Sequence, residues 1–164
     1  KYHKAYYDVY PGVWRHGDYI EITHNRGAII YGRSDATLKP SGVRIGSAEI
    51  YRQVETLPEI SDSLVIGQEW ENDIRIVLFV KLAPQIHLTP QLQEKIRNTI
   101  RQNTTPRHIP AKIIVVPDIP YTINMKKVEI AVRDLIHRRP VFNQDALLNP
   151  QALEFYKNIP ELQK

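Results

Sequence analysis

The chain has 164 residues, of which 42% are hydrophobic and 24% charged, a balance typical of a globular domain that forms its own core and not of a disordered segment. Its 22 Lys and Arg against 18 Asp and Glu give a net charge of +4, which favours a small anionic ligand at least as well as nucleic acid. No apolar run reaches the ~18 residues of a membrane span, and the six histidines lack metal-ligand spacing, so we expect neither a membrane segment nor a metal site.

The first predicted elements are two strands in the first fifth of the chain. Residues 1–10 are aromatic and apolar without a helix cap, and residue one is Lys, so we interpret the chain as a piece of a longer protein. Residues 19–22 alternate as a strand, 25–27 have the composition of a turn, and 28–31 form a second apolar run. These patterns predict a β-hairpin.

The next segment, 32–50, combines glycines, basic side chains and carboxylates with little apolar mass. Leu38 and Ile45 lie on either side of a Lys-Pro-Ser-Gly turn, which predicts a small hairpin with Gly42 at its tight end. Ser47 is predicted to cap a helix that follows. From spacing alone, the segment is an ordinary connection between elements.

Three apolar runs in the middle of the chain predict a sheet. Residues 63–66 and 74–80 are separated by the polar stretch 68–73, which predicts two buried strands joined by a turn that exposes Trp70. Residues 112–116 form a third run, predicted to be a further central strand.

Amphipathic helices are predicted between and after these strands. Thr89 has the composition of an N-cap with Pro90 at the first helical position, and Leu92, Ile96 and Ile100 then recur every fourth residue. We therefore expect an α+β fold, in which a central sheet of about three strands is flanked by helices and preceded by a β-hairpin. A last helix is indicated by the apolar residues Val128, Ala131, Val132, Leu135 and Ile136.

Two adjacent lysines, Lys126 and Lys127, precede this last helix. The positive end of the helix dipole disfavours cations there, so their presence suggests that an anion binds at this point. The alternative is that both are solvated surface lysines, and charge alone favours that alternative.

The segment 32–50 resembles the hinge motif of the adenylate-forming enzymes, a family of acyl-CoA synthetases, peptide-synthetase adenylation domains and luciferases. The resemblance implies that Asp35 is the pivot of a mobile C-terminal domain and that Arg33 lies near the nucleotide ribose. It also implies that Gly42 lies on the path of the CoA pantetheine arm and that Arg44 approaches a CoA phosphate. The residues that match the motif are Arg33, Asp35, Gly42, Arg44, Glu49 and Ile50.

Three further positions match the same family. Asp18 follows a glycine before the hairpin, where the family has an aspartate that accepts hydrogen bonds from both ribose hydroxyls; without the motif it would be an ordinary turn residue. Lys126 matches the lysine that ends the family's Pro-x-Thr-x-x-Gly-Lys loop and enters the active site during adenylation. Met125 replaces the usual glycine, although φ > 0 is costly for methionine. Arg101 matches a CoA-contacting arginine of the acetyl-CoA synthetase branch.

The resemblance implies a division of the chain and an activity. Residues 1–34 would be the last hairpin segment of a large N-terminal domain that is missing here, and 35–164 the mobile C-terminal domain. The tail 140–153 is similar to that of acetoacetyl-CoA synthetases, which implies that acetoacetate, ATP and CoA give acetoacetyl-CoA, AMP and pyrophosphate through an acyl-adenylate. ATP/AMP and CoA are the expected cofactors, with Mg²⁺ in the full-length enzyme, and the fragment alone is expected to be inactive.

The expected partners are a short-chain keto acid, ATP, CoA and the missing N-terminal domain, with no nucleic acid and no membrane. The chain has no cysteine, so it can form neither disulfides nor thiolate zinc sites, and a cytoplasmic location is expected. An acetyl- or propionyl-CoA synthetase of the same family is the near alternative. A basic α+β module that binds RNA or another protein is the alternative from another class, although no aromatic-rich strand motif of a nucleic-acid module is present.

Overall fold

The computed structural model describes residues 2–163 as an α+β fold, as the sequence predicts. The strands are β1 (Asp18–Ile22), β2 (Ala28–Arg33), β3 (Ile60–Trp70), β4 (Asp73–Leu82) and β5 (Lys112–Val115). The α-helices are α1 (Tyr2–Tyr6), α2 (Ser47–Val54), α3 (Pro90–Asn103) and α4 (Glu129–Ile136). Short 3₁₀ helices span Pro40–Gly42, Pro106–His108, Gln144–Ala146, Pro150–Tyr156 and Pro160–Gln163.

The predicted β-hairpin is present as the antiparallel pair of β1 and β2. It is held against α2, where the guanidinium of Arg52 donates to the carbonyl oxygen of Ile30 at 3.0 Å. The contact is closest at Gly46, because a Cβ added there would lie 2.2 Å from the carbonyl oxygen of Tyr31. The start of α2 therefore lies directly on the hairpin.

The second sheet contains three strands in the order β3-β4-β5. β3 pairs antiparallel with β4, and β4 pairs parallel with β5. Helices cover both faces of this sheet, which explains why β4 is an almost continuous apolar run. On one face α2 and α3 bury the alternating residues Val65, Leu78 and Val80. On the other face α4 and the C-terminal 3₁₀ helices bury Leu64, Ile66, Val77 and Phe79.

Three local predictions differ from the structure. β3 continues to Trp70, so the turn before β4 contains only Glu71 and Asn72, both in the left-handed region with φ of 48° and 63°. The prediction that Trp70 is exposed is wrong, because the guanidinium of Arg75 covers its ring at 3.8 Å from the centroid. β5 is an edge strand and not a central one, since β4 alone has two neighbours in this sheet.

The cap of α2 also differs by one residue from the prediction. Gly46 and not Ser47 is the N-cap, and its amide donates to the carboxylate of Glu49 at 2.7 Å. The predicted turn before it is confirmed, since Leu38 and Ile45 exchange backbone hydrogen bonds of 2.9 Å on either side of Pro40–Gly42. Gly42 has a φ of +78°, as its place in the turn requires.

Candidate functional site

The loop before α4 is closed by its own backbone hydrogen bonds. The amide of Thr122 donates to the carbonyl oxygen of Lys126 at 2.8 Å, and the amide of Met125 donates to that of Thr122 at 2.8 Å. The amide of Lys126 donates to the hydroxyl of Thr122 at 3.1 Å. Met125 adopts a φ of +57°, so this position requires the left-handed conformation even without a glycine. Such a conformation costs a non-glycine residue roughly 1–2 kcal/mol.

The two lysines of this loop have different environments. The side chain of Lys126 is exposed, and among residues 2–163 its ammonium has no hydrogen-bond or ion-pair partner. The side chain of Lys127 is only 16% exposed and forms ion pairs with Glu55 and Asp62. The interpretation of both as solvated surface lysines is therefore wrong for Lys127, whose partners come from distant parts of the chain.

A groove of about 520 Å³ brings Lys126 and Arg33 to one site. Lys127 is a third cation in its lining, and Glu129 and Asp134 add two carboxylates beside the apolar surface. Arg33 ends β2, whereas Lys126 precedes α4. The structure thus joins two residues that the family motifs single out separately. A groove with cations and apolar walls can hold a phosphorylated ligand with a flat or aliphatic portion. Its apolar lining residues include Val128, Ile130, Val141, Phe142 and Leu147.

A second cleft, of about 380 Å³, contains Asp18 and Arg44. Arg15 and Lys39 line it as well, so three cations surround one aspartate. The carboxylate of Asp18 pairs with Nδ1 of His16 at 2.7 Å, which fixes its direction at the start of β1. The structure therefore places Asp18 beside Arg44 and not beside Lys126.

The expected hinge residue, Asp35, is held by two arginines. Its carboxylate accepts two hydrogen bonds from the guanidinium of Arg33, at 2.9 and 3.1 Å. Partial burial would raise the pKa of the Asp35 carboxyl, but the hydrogen bonds and charge of Arg33 lower it below its ordinary value. The backbone carbonyl of Asp35 accepts from the guanidinium of Arg133, on α4, at 3.1 Å.

Two of the predicted CoA residues lie outside both cavities. Gly42 lies in the exposed 3₁₀ turn, whose Ser41 amide donates to the carboxylate of Asp73 at 2.8 Å. Arg101 lies on the exposed side of α3, where its guanidinium donates to Asn98 at 2.8 Å. Within this chain, Arg101 is therefore not brought to the groove of Lys126 or to the cleft of Asp18.

Sequence reasoning missed the residues that enclose Lys127, which are Tyr51, Glu55 and Asp62. No local signal in the sequence indicated them, because the bridge that sets the direction of Lys127 is visible only in the structure. Lys127 pairs in an isolated antiparallel bridge with Tyr121, and neighbouring residues of extended chain point to opposite sides. If one of two adjacent lysines is exposed there, the other must point inward.

No group of three His, Cys, Asp or Glu residues suited to a metal ion occurs within residues 2–163. In the same part of the chain, none of the helices is both long and apolar enough to cross a membrane.

Comparison with known proteins shows which sequences this chain resembles. The chain is 55% identical over 162 residues, 99% of its length, to the acetoacetyl-coenzyme A synthetase of Rhizobium meliloti (strain 1021). It is 48% identical over 165 residues, again 99% of its length, to the acetoacetyl-CoA synthetase of Danio rerio. It covers 25% and 24% of these proteins, so the chain spans about a quarter of the length of the curated relatives it matches. No family model matches the chain.

Solved structures agree in fold. The acetoacetyl-CoA synthetase from Streptomyces lividans superposes with a TM-score of 0.88 at 44% identity, over 99% of this chain and 25% of that one. An acyl-CoA synthetase from Brucella canis superposes with a TM-score of 0.58 at 26% identity, over 75% of this chain and 23% of that one.

Proposed function

Since the chain resembles acetoacetyl-CoA synthetases over 99% of its length, as its motifs predict, we propose that it is the C-terminal part of an ATP-dependent acid–CoA ligase. The proposed reaction of the whole protein joins acetoacetate to CoA through an acyl-adenylate and releases AMP and pyrophosphate. Residues 1–34 would end the large domain that carries the acyl pocket, and 35–164 would be the mobile domain.

The observation that carries this proposal is the exposed, unpaired ammonium of Lys126 in the same groove as Arg33, within the part of the chain that the structure describes. Attack of the carboxylate on the α-phosphate of ATP places negative charge on phosphoryl oxygens and on the leaving pyrophosphate. A lysine about 4 Å from such charge contributes about 4 kcal/mol at an effective dielectric constant of 20. Because Lys126 forms no ion pair with any carboxylate of residues 2–163, its charge is available to the substrate.

The nucleotide and the hinge residues have separate roles in the proposal. Arg33 and Asp18 would hold the ribose of ATP and AMP, and Lys126 would act on its phosphates. Rotation about Asp35 would then withdraw Lys126 so that CoA reaches the acyl-adenylate. Gly42, Arg44 and Arg101 would contact CoA after this rotation.

Mg²⁺ is proposed to accompany ATP in the whole enzyme, but residues 2–163 contain no cluster of three groups that would hold it. No step assigned to this chain therefore uses the metal. A short-chain keto acid, ATP, CoA and the large domain are the proposed partners. A cytoplasmic location is part of the proposal and is supported only by the lack of cysteine.

The test uses the longer protein that carries this chain. Lys126→Ala should abolish acetoacetate-dependent exchange between ATP and pyrophosphate, yet retain thioester formation from supplied acetoacetyl-adenylate. Lys157→Ala is the matched control, since Lys157 pairs with Glu154 outside the groove. Unchanged exchange in Lys126→Ala would refute the proposed role, and so would exchange activity in the 164-residue chain alone.

The acyl substrate needs its own measurement, because its pocket would lie outside this chain. A panel of acetate, propionate and acetoacetate, each assayed for AMP release with the wild-type full-length enzyme, separates the proposed activity from that of acetyl- or propionyl-CoA synthetases. Preference for acetate or propionate would contradict the acetoacetate assignment and leave the role of Lys126 intact.

A further inference from the structure

Lys127 is a largely buried cation that the proposed chemistry does not use. Its ammonium lies 2.5 Å from a carboxylate oxygen of Glu55 and 3.0 Å from one of Asp62. It also donates to the carbonyl oxygen of Ser63 at 2.6 Å and lies 4.2 Å from the ring centroid of Tyr51. All three donors of the ammonium therefore have acceptors.

These partners connect the lysine loop to two other elements. Tyr51 lies on α2 and Glu55 directly follows it, whereas Asp62 and Ser63 lie on β3. Each carboxylate is itself oriented by neutral donors, since the Ser63 hydroxyl donates to Glu55 at 3.0 Å and the Tyr121 hydroxyl donates to Asp62 at 2.9 Å. Lys127 thus enters a preformed acidic site between α2 and the sheet.

The position of Lys127 determines the direction of its neighbour. Lys127 and Tyr121 form an antiparallel bridge that closes the loop 122–126, and Thr122 binds the backbone of Lys126 inside it. In extended chain, adjacent side chains point to opposite sides. With the ammonium of Lys127 bound by Glu55 and Asp62, the exposed Lys126 is the lysine left free in the groove that both line together with Arg33.

We propose that Lys127 is a positioning residue for adenylation: its ion pairs with Glu55 and Asp62 fix the register of the loop and aim Lys126 at the nucleotide phosphates. This inference rests on the function proposed above. An apolar side chain at 127 would fill the space but would not select between the two directions, because Lys126 could then occupy the acidic site instead. The acidic site excludes this exchange only while Lys127 fills it.

The main test is Lys127→Met in the full-length enzyme, with Lys127→Met/Glu55→Gln as a second variant that removes one of the two uncompensated carboxylates if the first is poorly folded. Both variants should lose on the order of 10²-fold in the rate of adenylation, the loss typical of a misplaced catalytic group. Thioester formation from supplied acyl-adenylate should be retained. The matched control is Lys95→Met, which removes the ion pair between Lys95 of α3 and Glu59, the residue before β3, and should leave both half-reactions unchanged.

A double variant distinguishes positioning from general destabilisation. Adding Lys127→Met to Lys126→Ala should cause no further loss of adenylation, because Lys127 acts only through Lys126. A multiplicative loss, an equal loss in both half-reactions, or wild-type adenylation in Lys127→Met/Glu55→Gln would each overturn the inference. If Lys126→Ala itself left adenylation intact, the proposed function would fail instead.

A chemical readout independent of activity tests the geometry. With limiting acetic anhydride and peptide mass spectrometry, Lys126 of the wild-type protein should be acetylated at least tenfold faster than Lys127. In Lys127→Met, the reactivity of Lys126 should fall as its ammonium enters the acidic site. Equal labelling of the two lysines, or unchanged labelling of Lys126 in the variant, would contradict the proposed direction.

Discussion

The guanidinium of Arg133 donates to the backbone carbonyl oxygen of Asp35 at 3.1 Å, across 98 residues of sequence. The carboxylate of the same aspartate is bound by Arg33, which precedes it by two residues. The proposed pivot is thus held on its carbonyl by α4 and on its side chain by the end of β2. Rotation about the backbone of Asp35 would turn this carbonyl away from Arg133.

We therefore predict that Arg133→Met favours the rotated state. We take the orientation in which Lys126 and Arg33 share a groove as the one proposed for adenylation. Loss of one hydrogen bond of about 1 kcal/mol should raise the ratio of thioester formation to adenylation by about fivefold. Single-turnover measurement of both half-reactions in the full-length enzyme tests this. Arg139→Met is the control, since Arg139 pairs with Glu69 and does not contact Asp35; an equal change in that variant would refute the prediction.

Asp35→Pro should impair the second half-reaction selectively. Proline fixes φ near −65° and stiffens the pivot. The backbone amides of the neighbouring residues Ser34 and Ala36 donate hydrogen bonds to carbonyl oxygens, and the substitution at position 35 removes neither of these bonds. Adenylation should remain nearly intact while thioester formation falls at least tenfold. Asp35→Ala removes the ion pair with Arg33 without stiffening the backbone, and an equal defect in that variant would show that the carboxylate, not the rotation, is what matters.

Local patterns were sufficient for elements whose determinants are close in sequence. α3 begins where Thr89 and Pro90 predicted it, with the Thr89 hydroxyl accepting from the amide of Leu92 at 3.2 Å. The residues Ile96 and Ile100 are fully buried, as their spacing required. Such caps and stripes are decided by contacts within one helix turn or one face.

The environment of Lys127 could not be predicted in this way. Glu55 precedes it by 72 residues, and nothing near either residue indicates that α2 and the lysine loop meet. The same holds for strand order, because β4 and β5 are similar apolar runs but only β4 has two neighbours. Lys126 and Arg33 were found through family motifs, and their common groove depends on the packing of α4 beside the hinge.

The left-handed conformation of Met125 predicts how substitutions at this position rank in their effect on stability. Its φ of +57° should cost methionine roughly 1–2 kcal/mol, and glycine would relieve this strain but lose about 0.5–1 kcal/mol through the entropy of the unfolded chain. Met125→Gly should therefore be neutral to slightly stabilising in urea unfolding. Met125→Ile should destabilise by more than about 1 kcal/mol, since β-branched residues are poorest at φ > 0. Met125→Leu is the control, and a loss there equal to that of isoleucine would contradict the role of φ.

Glu129 predicts a pH dependence of stability. Burial raises the pKa of its carboxyl, which accepts a hydrogen bond from the Tyr51 hydroxyl at 3.0 Å. Because the folded state favours the protonated form, this contribution to stability is complete below the pKa of the unfolded chain and is lost as pH rises through the folded value. Glu129→Gln keeps the acceptor and cannot ionise. Relative to wild type, the unfolding free energy of this variant should increase as the pH rises through the raised pKa of Glu129; parallel pH curves would contradict this.

The residues proposed for CoA can be separated by their places in the structure. Arg44 lines the cleft of Asp18, whereas Arg101 lies on α3 with Asn98. An arginine–phosphate contact is typically worth roughly 1.5–3 kcal/mol, so Arg44→Ala and Arg101→Ala should each raise the KM for CoA roughly 10- to 100-fold. The KM for ATP should not change. The measurement is steady-state kinetics of the full-length enzyme. If a variant kept the wild-type KM for CoA, the substituted arginine would not belong to the CoA site.

Gly42 provides the steric counterpart of that prediction. Among the residues that the structure describes, a Cβ at Gly42 meets nothing within 4 Å, so a larger side chain there would extend into open space and not into the core. Its φ of +78° adds the same backbone strain to any L residue. Gly42→Ala therefore controls for strain, and Gly42→Leu adds bulk on the proposed path of the pantetheine arm. We expect Gly42→Leu to block thioester formation while adenylation continues, and Gly42→Ala to retain both. Normal CoA turnover by Gly42→Leu would mean that the thioester forms elsewhere.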